Sequence, residues 1–158
     1  MRIVVCGVGN VERGDDAFGP SVIEHLYEGE TLRKIDSGLF PENYLNKIVS
    51  LLPDLVIFLD TVGREEMRSV ILRNEEIASR SALSVSTHNL SFTAMYEFLK
   101  DSGVKDVFFI GVPVLSYAHY SAGVRAIADR IVAVLNNIDN MRGFDIIEIY
   151  EVLSEQLR

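Results

Sequence analysis

The sequence predicts an α/β fold: a three-layer sandwich with a mostly parallel central sheet. Short apolar runs rich in β-branched and aromatic residues recur along the chain, and longer segments of helical period separate them. Runs that are apolar at nearly every position fit strands buried on both faces, the environment of a parallel sheet covered by helices. With 158 residues and 48% hydrophobic content, the chain can close one core, so a single domain over residues 1–158 is expected.

The first run, Ile3-Val4-Val5-Cys6, leads into the glycine-rich segment "GVGNVERGDDAFGP". Residues 17–28 then place Phe18, Val22, Ile23 and Leu26 on one helical face. Pro20 falls near the start of that helix, where a missing amide hydrogen costs little. A weaker strand is expected at residues 32–35 and a helix over 44–52, followed by strands at 55–59 and 70–72. Residues 91–99 carry Phe92, Met95, Tyr96 and Leu99 at helical spacing, and Gly103 stands where that helix should stop. A strand at 107–110 precedes a long closing helix over 121–138, with Val124, Ile127, Ile131, Val134 and Leu135 on its buried side. The tail, 141–158, fits a strand or an amphipathic helix, in the simplest reading one more core element, and a partner surface is the other use for it. No internal repeat, low-complexity stretch or linker interrupts the pattern.

The formal net charge of −8 disfavours a nucleic-acid backbone or an anionic membrane surface as partner, because both require clustered Lys and Arg. A protein partner or a cationic ligand fits better. Cys6 is the only cysteine, which excludes a disulfide framework and a cysteine-based zinc cluster within one chain. That usage suits a reducing cytosol. The opening "MRIVVCG" is too short for a secretory apolar region, and no window approaches the roughly 18 apolar residues of a membrane span. A cytoplasmic protein without membrane insertion is expected.

Ligands of open α/β sheets bind beyond the carboxyl ends of the strands, so reactive side chains just after strands are the candidates. Asp15 and Asp16 follow the first strand, Asp60 closes the run at 55–59, and His88 in "VSTHNL" precedes a helix. Gly7, Gly9 and Gly14 do not make a dinucleotide fingerprint, since Glu12 occupies the third glycine position, and the two acids would repel a pyrophosphate. The glycines instead permit a tight turn that carries the carboxylates to the sheet rim. Carboxylates from separate strand ends, with one imidazole, form an N/O ligand set suited to a divalent ion such as zinc or nickel. A plainer account stands beside this: Asp16 caps the helix at Ala17, Asp60 caps a turn with Thr61, and His88 is an ordinary loop residue. His25, within the first helix, reads as structural or surface. His119 in "LSYAHYSAG" follows the strand at 107–110 by a loop; it could reach the same rim, although packing or surface roles are commoner for such a residue. Cys6 reads as a buried, inert thiol, and no serine-nucleophile elbow is present.

The segments "GVGNVERGDDAFGP", "DSGLFPEN", "LVIFLDTVG", "STHNLSFTAMYEFLK" and "VFFIGVP" resemble, in order and spacing, the nickel-iron hydrogenase maturation endopeptidases. "PEN" and "THN" are similar to the branch serving the membrane-bound, hydrogen-evolving hydrogenases. The resemblance runs from Met1 to about Ile138. It implies a phosphorylase-like α/β fold and a protease that removes a C-terminal extension from the hydrogenase large-subunit precursor after nickel insertion. It also implies metal ligation by Asp16, Asp60 and His88, with nickel presented by the substrate and another divalent metal able to bind in vitro. Asp15 would orient a neighbouring ligand. The chain departs from the family at Gly111-Val112-Pro113, which lacks a glutamine that many relatives carry there. That departure leaves open a non-cleaving, nickel-dependent checkpoint that binds the same subunit.

Overall fold

A computed structural model describes residues 1–63, 66, 68–80, 91–141 and 145–158. Five strands form one sheet: β1 (Ile3–Gly7), β2 (Leu32–Asp36), β3 (Leu55–Val62), β4 (Val70–Arg73) and β5 (Asp106–Pro113), in the order β2-β1-β3-β5-β4. All neighbours are parallel except β4, which runs antiparallel to β5 at the edge. The expected weak strand at 32–35 is present as β2. The three central strands are longer than their apolar runs, and β5 gains the most.

Alternation along the strands assigns two cores. Ile3 and Val5, Leu55, Ile57 and Leu59, and Phe108, Ile110 and Val112 face one side; Val4 and Cys6, Val56 and Phe58, and Val107 and Phe109 face the other. Both sides are covered, so nearly every position of these strands is buried. Against the first side pack α1 (Phe18–His25), α5 (Ala122–Asn136) and α6 (Ile146–Gln156). Against the second pack α2 (Leu45–Ser50), α3 (Glu75–Ser79) and α4 (Phe92–Asp101). This is the expected three-layer arrangement. Each fully buried side chain such as Phe58 contributes about 1.5–3 kcal/mol through removal of apolar surface from water.

The helix ends follow local chemistry. Ser91 Oγ accepts from Ala94 N at 3.1 Å and starts α4. Gly103, at φ +97°, takes the left-handed conformation just beyond its end. The ambiguous tail resolves as a helix: Asp145 and Glu148 form a reciprocal capping box, and Ile149 and Leu153 enter the first core. Phe144, which the tail pattern included, lies outside the described residues. Short α3 was not anticipated, because five residues are too few to show a helical period.

Candidate active site

From β1 the chain passes to β2 on one side, and β3 lies on the other. Strand order therefore reverses between β1 and β3, where doubly wound sheets open a ligand crevice at their carboxyl ends. The loop after β1 is tied to both neighbours: Val8 N donates to the Leu59 carbonyl at 2.8 Å and Gly9 N to the Gly38 carbonyl at 2.9 Å. Ser37 reinforces this from β2, its backbone N and its Oγ each donating to the Gly7 carbonyl at 2.9 Å.

Glycine is required here by close approach. Gly9 has φ +145°, and a Cβ on it would collide with the Asp16 carbonyl. Gly14 has φ +56°, and a Cβ there would stand 2.5 Å from the Ser116 carbonyl. The loop thus folds back on itself and on residues 115–119, and Asp15 and Asp16 emerge in a 3-10 turn, Gly14–Ala17.

The two adjacent acids have different environments. Asp15 is wholly buried. Its Oδ2 accepts from Leu115 N at 2.8 Å, Ser116 N at 2.9 Å and Ser121 Oγ at 2.9 Å, while Oδ1 accepts from Ser121 N at 2.6 Å. Four donors fill the roughly four acceptor positions of a carboxylate. Desolvation pushes the acid upward, but the combined hydrogen bonds from Ser121, Ser116 and Leu115 outweigh it and hold Asp15 below its ordinary value. Asp15 therefore fastens the loop after β5 to the start of α1.

Asp16 is half-buried and keeps unused acceptor positions. Oδ2 accepts from Asn10 N at 2.9 Å and Oδ1 from Thr61 Oγ1 at 3.0 Å. The capping account of Asp16 is corrected: α1 begins at Phe18, its cap position is Ala17, and no side-chain cap bond is formed.

Asp60 lies within β3, in register with Gly111, and not beyond the strand's end. It is 8% exposed, and its Oδ1 accepts from Thr61 N at 2.7 Å. The turn-cap reading named the right partner, but the backbone there is strand. Its even-numbered position aligns Asp60 with Val56 and Phe58, on the face of α2 and α4, whereas Thr61 shares the face of Leu59 and α1. Thr61 consequently joins both acids, its amide serving Asp60 and its hydroxyl serving Asp16. Sequence reasoning treated Thr61 only as a turn neighbour; a hydroxyl directly after the acid was the available signal.

His88 lies outside the described residues. Among the described residues no group of three or more His, Cys, Asp or Glu side chains is arranged to hold a metal ion. Asp16 and Asp60 are the described members of the expected set. The exposed His25 ring pairs through Nδ1 with the Ser21 carbonyl at 2.8 Å, a structural contact. His119 is exposed, and its Nδ1 lies 3.2 Å from Ser116 Oγ, within the loop that Asp15 anchors. Cys6 is fully buried, and burial, with smaller contributions from Asp36 and Asp60, pushes its thiol up to about 12 against an opposing effect of the nearby Ser37 side chain.

No family model matches the sequence. A Methanocaldococcus jannaschii protein, provisionally named a hydrogenase maturation protease, is 24% identical over 151 residues, covering 87% of this chain and 88% of that protein. The crystal structure of the [NiFe] hydrogenase maturation protease HycI from Thermococcus kodakarensis superposes with a TM-score of 0.73 at 28% identity, covering 89% of this chain and 93% of that one. The chain resembles the hydrogenase maturation proteases in sequence and in fold. The solution structure of the endopeptidase HycI from Escherichia coli gives a TM-score of 0.71 at 25% identity, over 91% of this chain and 95% of that one. The similarity covers most of both chains in each comparison, so the resemblance to these proteins extends well beyond a local motif.

Proposed function

We propose that this protein is an endopeptidase that removes the C-terminal extension of a nickel-iron hydrogenase large-subunit precursor after nickel insertion, acting in the cytoplasm. The observation that carries this reading is the Asp16–Thr61–Asp60 arrangement at the β1/β3 crevice. Similarity to named maturation proteases supports the class of reaction.

The donor chemistry suits a divalent ion. Asp16 accepts two hydrogen bonds, which leaves part of its acceptor capacity for a cation, and oxygen donors with one histidine suit nickel or zinc. Asp16, Asp60 and His88 would contact nickel carried by the precursor, and such a metal polarises a carbonyl or activates a water for hydrolysis. The chain's own contribution is positional. Asn10 N and Thr61 Oγ1 fix the Asp16 carboxylate, Thr61 N fixes Asp60, and Gly9 and Gly14 allow the close backbone approach that the loop requires. Among the described residues, no helix is long and apolar enough to cross a membrane.

A second reading, the non-cleaving checkpoint, draws on Val112. This residue is the register partner of Thr61 and fully buried, so the strand beside Thr61 offers an apolar side chain near the place where many relatives carry an amide. Intact-mass analysis of the precursor, nickel-loaded and nickel-free, separates the two. Loss of one C-terminal peptide from the nickel-loaded precursor alone, abolished by Asp16→Asn, Asp60→Asn or His88→Ala, is the expected outcome. Complex formation with no change in mass would establish the checkpoint instead.

A further inference from the structure

A groove of about 590 Å³ opens between the end of β5, the first turns of α5 and the residues after α6, a volume within the usual range for ligand sites. Val112, Pro113, Leu115, Ile127 and Leu157 supply its apolar wall. Leu115 is 64% exposed at the mouth.

Two relationships tie this groove to the acids. Val112 is the register partner of Thr61, and both side chains face the α1/α5 layer. The groove floor therefore begins one strand spacing, about 4.8 Å, from the residue that joins Asp16 to Asp60. The loop carrying Leu115 is also fastened to Asp15, the neighbour of Asp16. Groove and acids are thus parts of one rim, related by strand pairing and one buried carboxylate.

The charges of the groove oppose those of the molecule. The chain carries a net charge of −8, yet the charged side chains among the described residues that line the groove are those of Arg68 and Arg158. Neither guanidinium forms an ion pair with a described residue. Apolar walls with guanidinium groups at the edge complement an extended peptide bearing apolar side chains and a carboxylate.

We infer that this groove receives the segment of the precursor's extension just beyond the scissile bond, through apolar side chains and an acidic one. This rests on the endopeptidase reading and adds to it a means of selecting the segment to be removed. Gly123 provides a direct probe. A Cβ there would meet Leu115 Cδ1 at an ordinary 3.6 Å, so Gly123→Phe starts from an open position on the groove wall.

The test compares affinity for the full precursor and for a precursor truncated at the cleavage site, together with kcat and KM for processing. The proteins are the unmodified chain, Gly123→Phe and Arg68→Glu, each verified as folded by circular dichroism. Both variants should weaken binding of the full precursor or raise KM at least tenfold with kcat within about twofold, while binding the truncated precursor normally. Replacing an acidic residue of the extension by lysine should restore Arg68→Glu. Unchanged affinity and KM in both variants, or equal losses with the truncated precursor, would overturn the inference. If the unmodified protein binds the precursor but never cleaves it, the endopeptidase reading fails, while the comparison of full and truncated precursors still decides the groove.

Discussion

The Thr61 hydroxyl donates to Asp16 Oδ1 at 3.0 Å across 45 positions of chain, while the Thr61 amide donates to Asp60 at 2.7 Å. One residue thereby sets the relative position of two acids, one in the turn after β1 and the other on β3. Thr61→Val preserves shape and removes only the hydroxyl, so stability should fall by about 1 kcal/mol. Processing should fall roughly 10- to 100-fold, the usual consequence of losing a hydrogen bond that orients a metal-binding group. Thr61→Ser should retain most of the rate. Initial rates of precursor cleavage and urea midpoints of the three proteins check this, and full activity in Thr61→Val would remove the hydroxyl from the mechanism.

Asp15 predicts a pH dependence of stability. Its folded-state value lies below the ordinary carboxylate value because four donors outweigh desolvation. A depressed acid stabilises the fold above its unfolded pKa, near 3.9, and that contribution disappears as pH falls through the lower folded value. Urea midpoints should therefore decline below about pH 4, and Asp15→Asn should flatten this acid limb. Asp15→Ala leaves buried donors without an acceptor and should cost about 3 kcal/mol or more. An acid limb unchanged in Asp15→Asn would contradict the assignment.

Cys6 should be chemically silent in the folded protein. A thiol pushed up to about 12 and wholly buried carries almost no thiolate at pH 8. Alkylation by iodoacetamide should require denaturant, and Cys6→Ala should process precursor at the normal rate once its modest packing loss is allowed for. Native-state alkylation that abolishes cleavage would reopen a thiol mechanism.

The central sheet was legible because its strands are buried on both faces, which leaves continuous apolar runs such as Ile3-Val4-Val5-Cys6 and Leu55-Val56-Ile57-Phe58-Leu59. The end of β3 was not, because a charged residue after such a run reads as its boundary. The ladder continues through Asp60, Thr61 and Val62, whose partners Gly111, Val112 and Pro113 lie on β5. The antiparallel direction of β4 was hidden for a different reason, since strand composition carries no sign of direction. Asp16 and Asp60 were recognisable by residue type and by their place near strand ends. The separation of Asp15 from Asp16 depends on donors from Leu115, Ser116 and Ser121, about a hundred positions away, and no local pattern encodes it.

Glu42 is an acid whose carboxylate has no hydrogen-bond donor among the described residues. Both carboxylate oxygens are shielded from solvent and accept no hydrogen bond, in the 3-10 turn Pro41–Tyr44 that follows β2. Polar atoms shielded from water without hydrogen-bond donors cost stability, and a side chain of similar shape that can also donate has more ways to be satisfied. Glu42→Gln should raise stability by about 1 kcal/mol or more at pH 7, read as a higher urea midpoint with an unchanged slope. A lower midpoint would show that the carboxylate is satisfied in solution.

Two glycines separate backbone strain from interference with the site. Gly38, at φ +56°, has nothing within 4 Å of a built Cβ, so Gly38→Ala carries only the left-handed penalty, about 1–2 kcal/mol. Gly9, at φ +145°, adds a collision with the Asp16 carbonyl. The clash is with backbone, so relief requires the Gly14–Ala17 turn to move, and Asp16 cannot then keep its bonds to both Asn10 N and Thr61 Oγ1. Gly9→Ala should therefore lose more stability than Gly38→Ala and should also lose precursor cleavage at temperatures where circular dichroism shows it folded. Gly38→Ala should cleave at close to the normal rate under the same conditions. If the two variants lose stability equally and both cleave, close packing between Gly9 and Asp16 does not position the acid, and the role of the opening glycine segment reduces to making the turn.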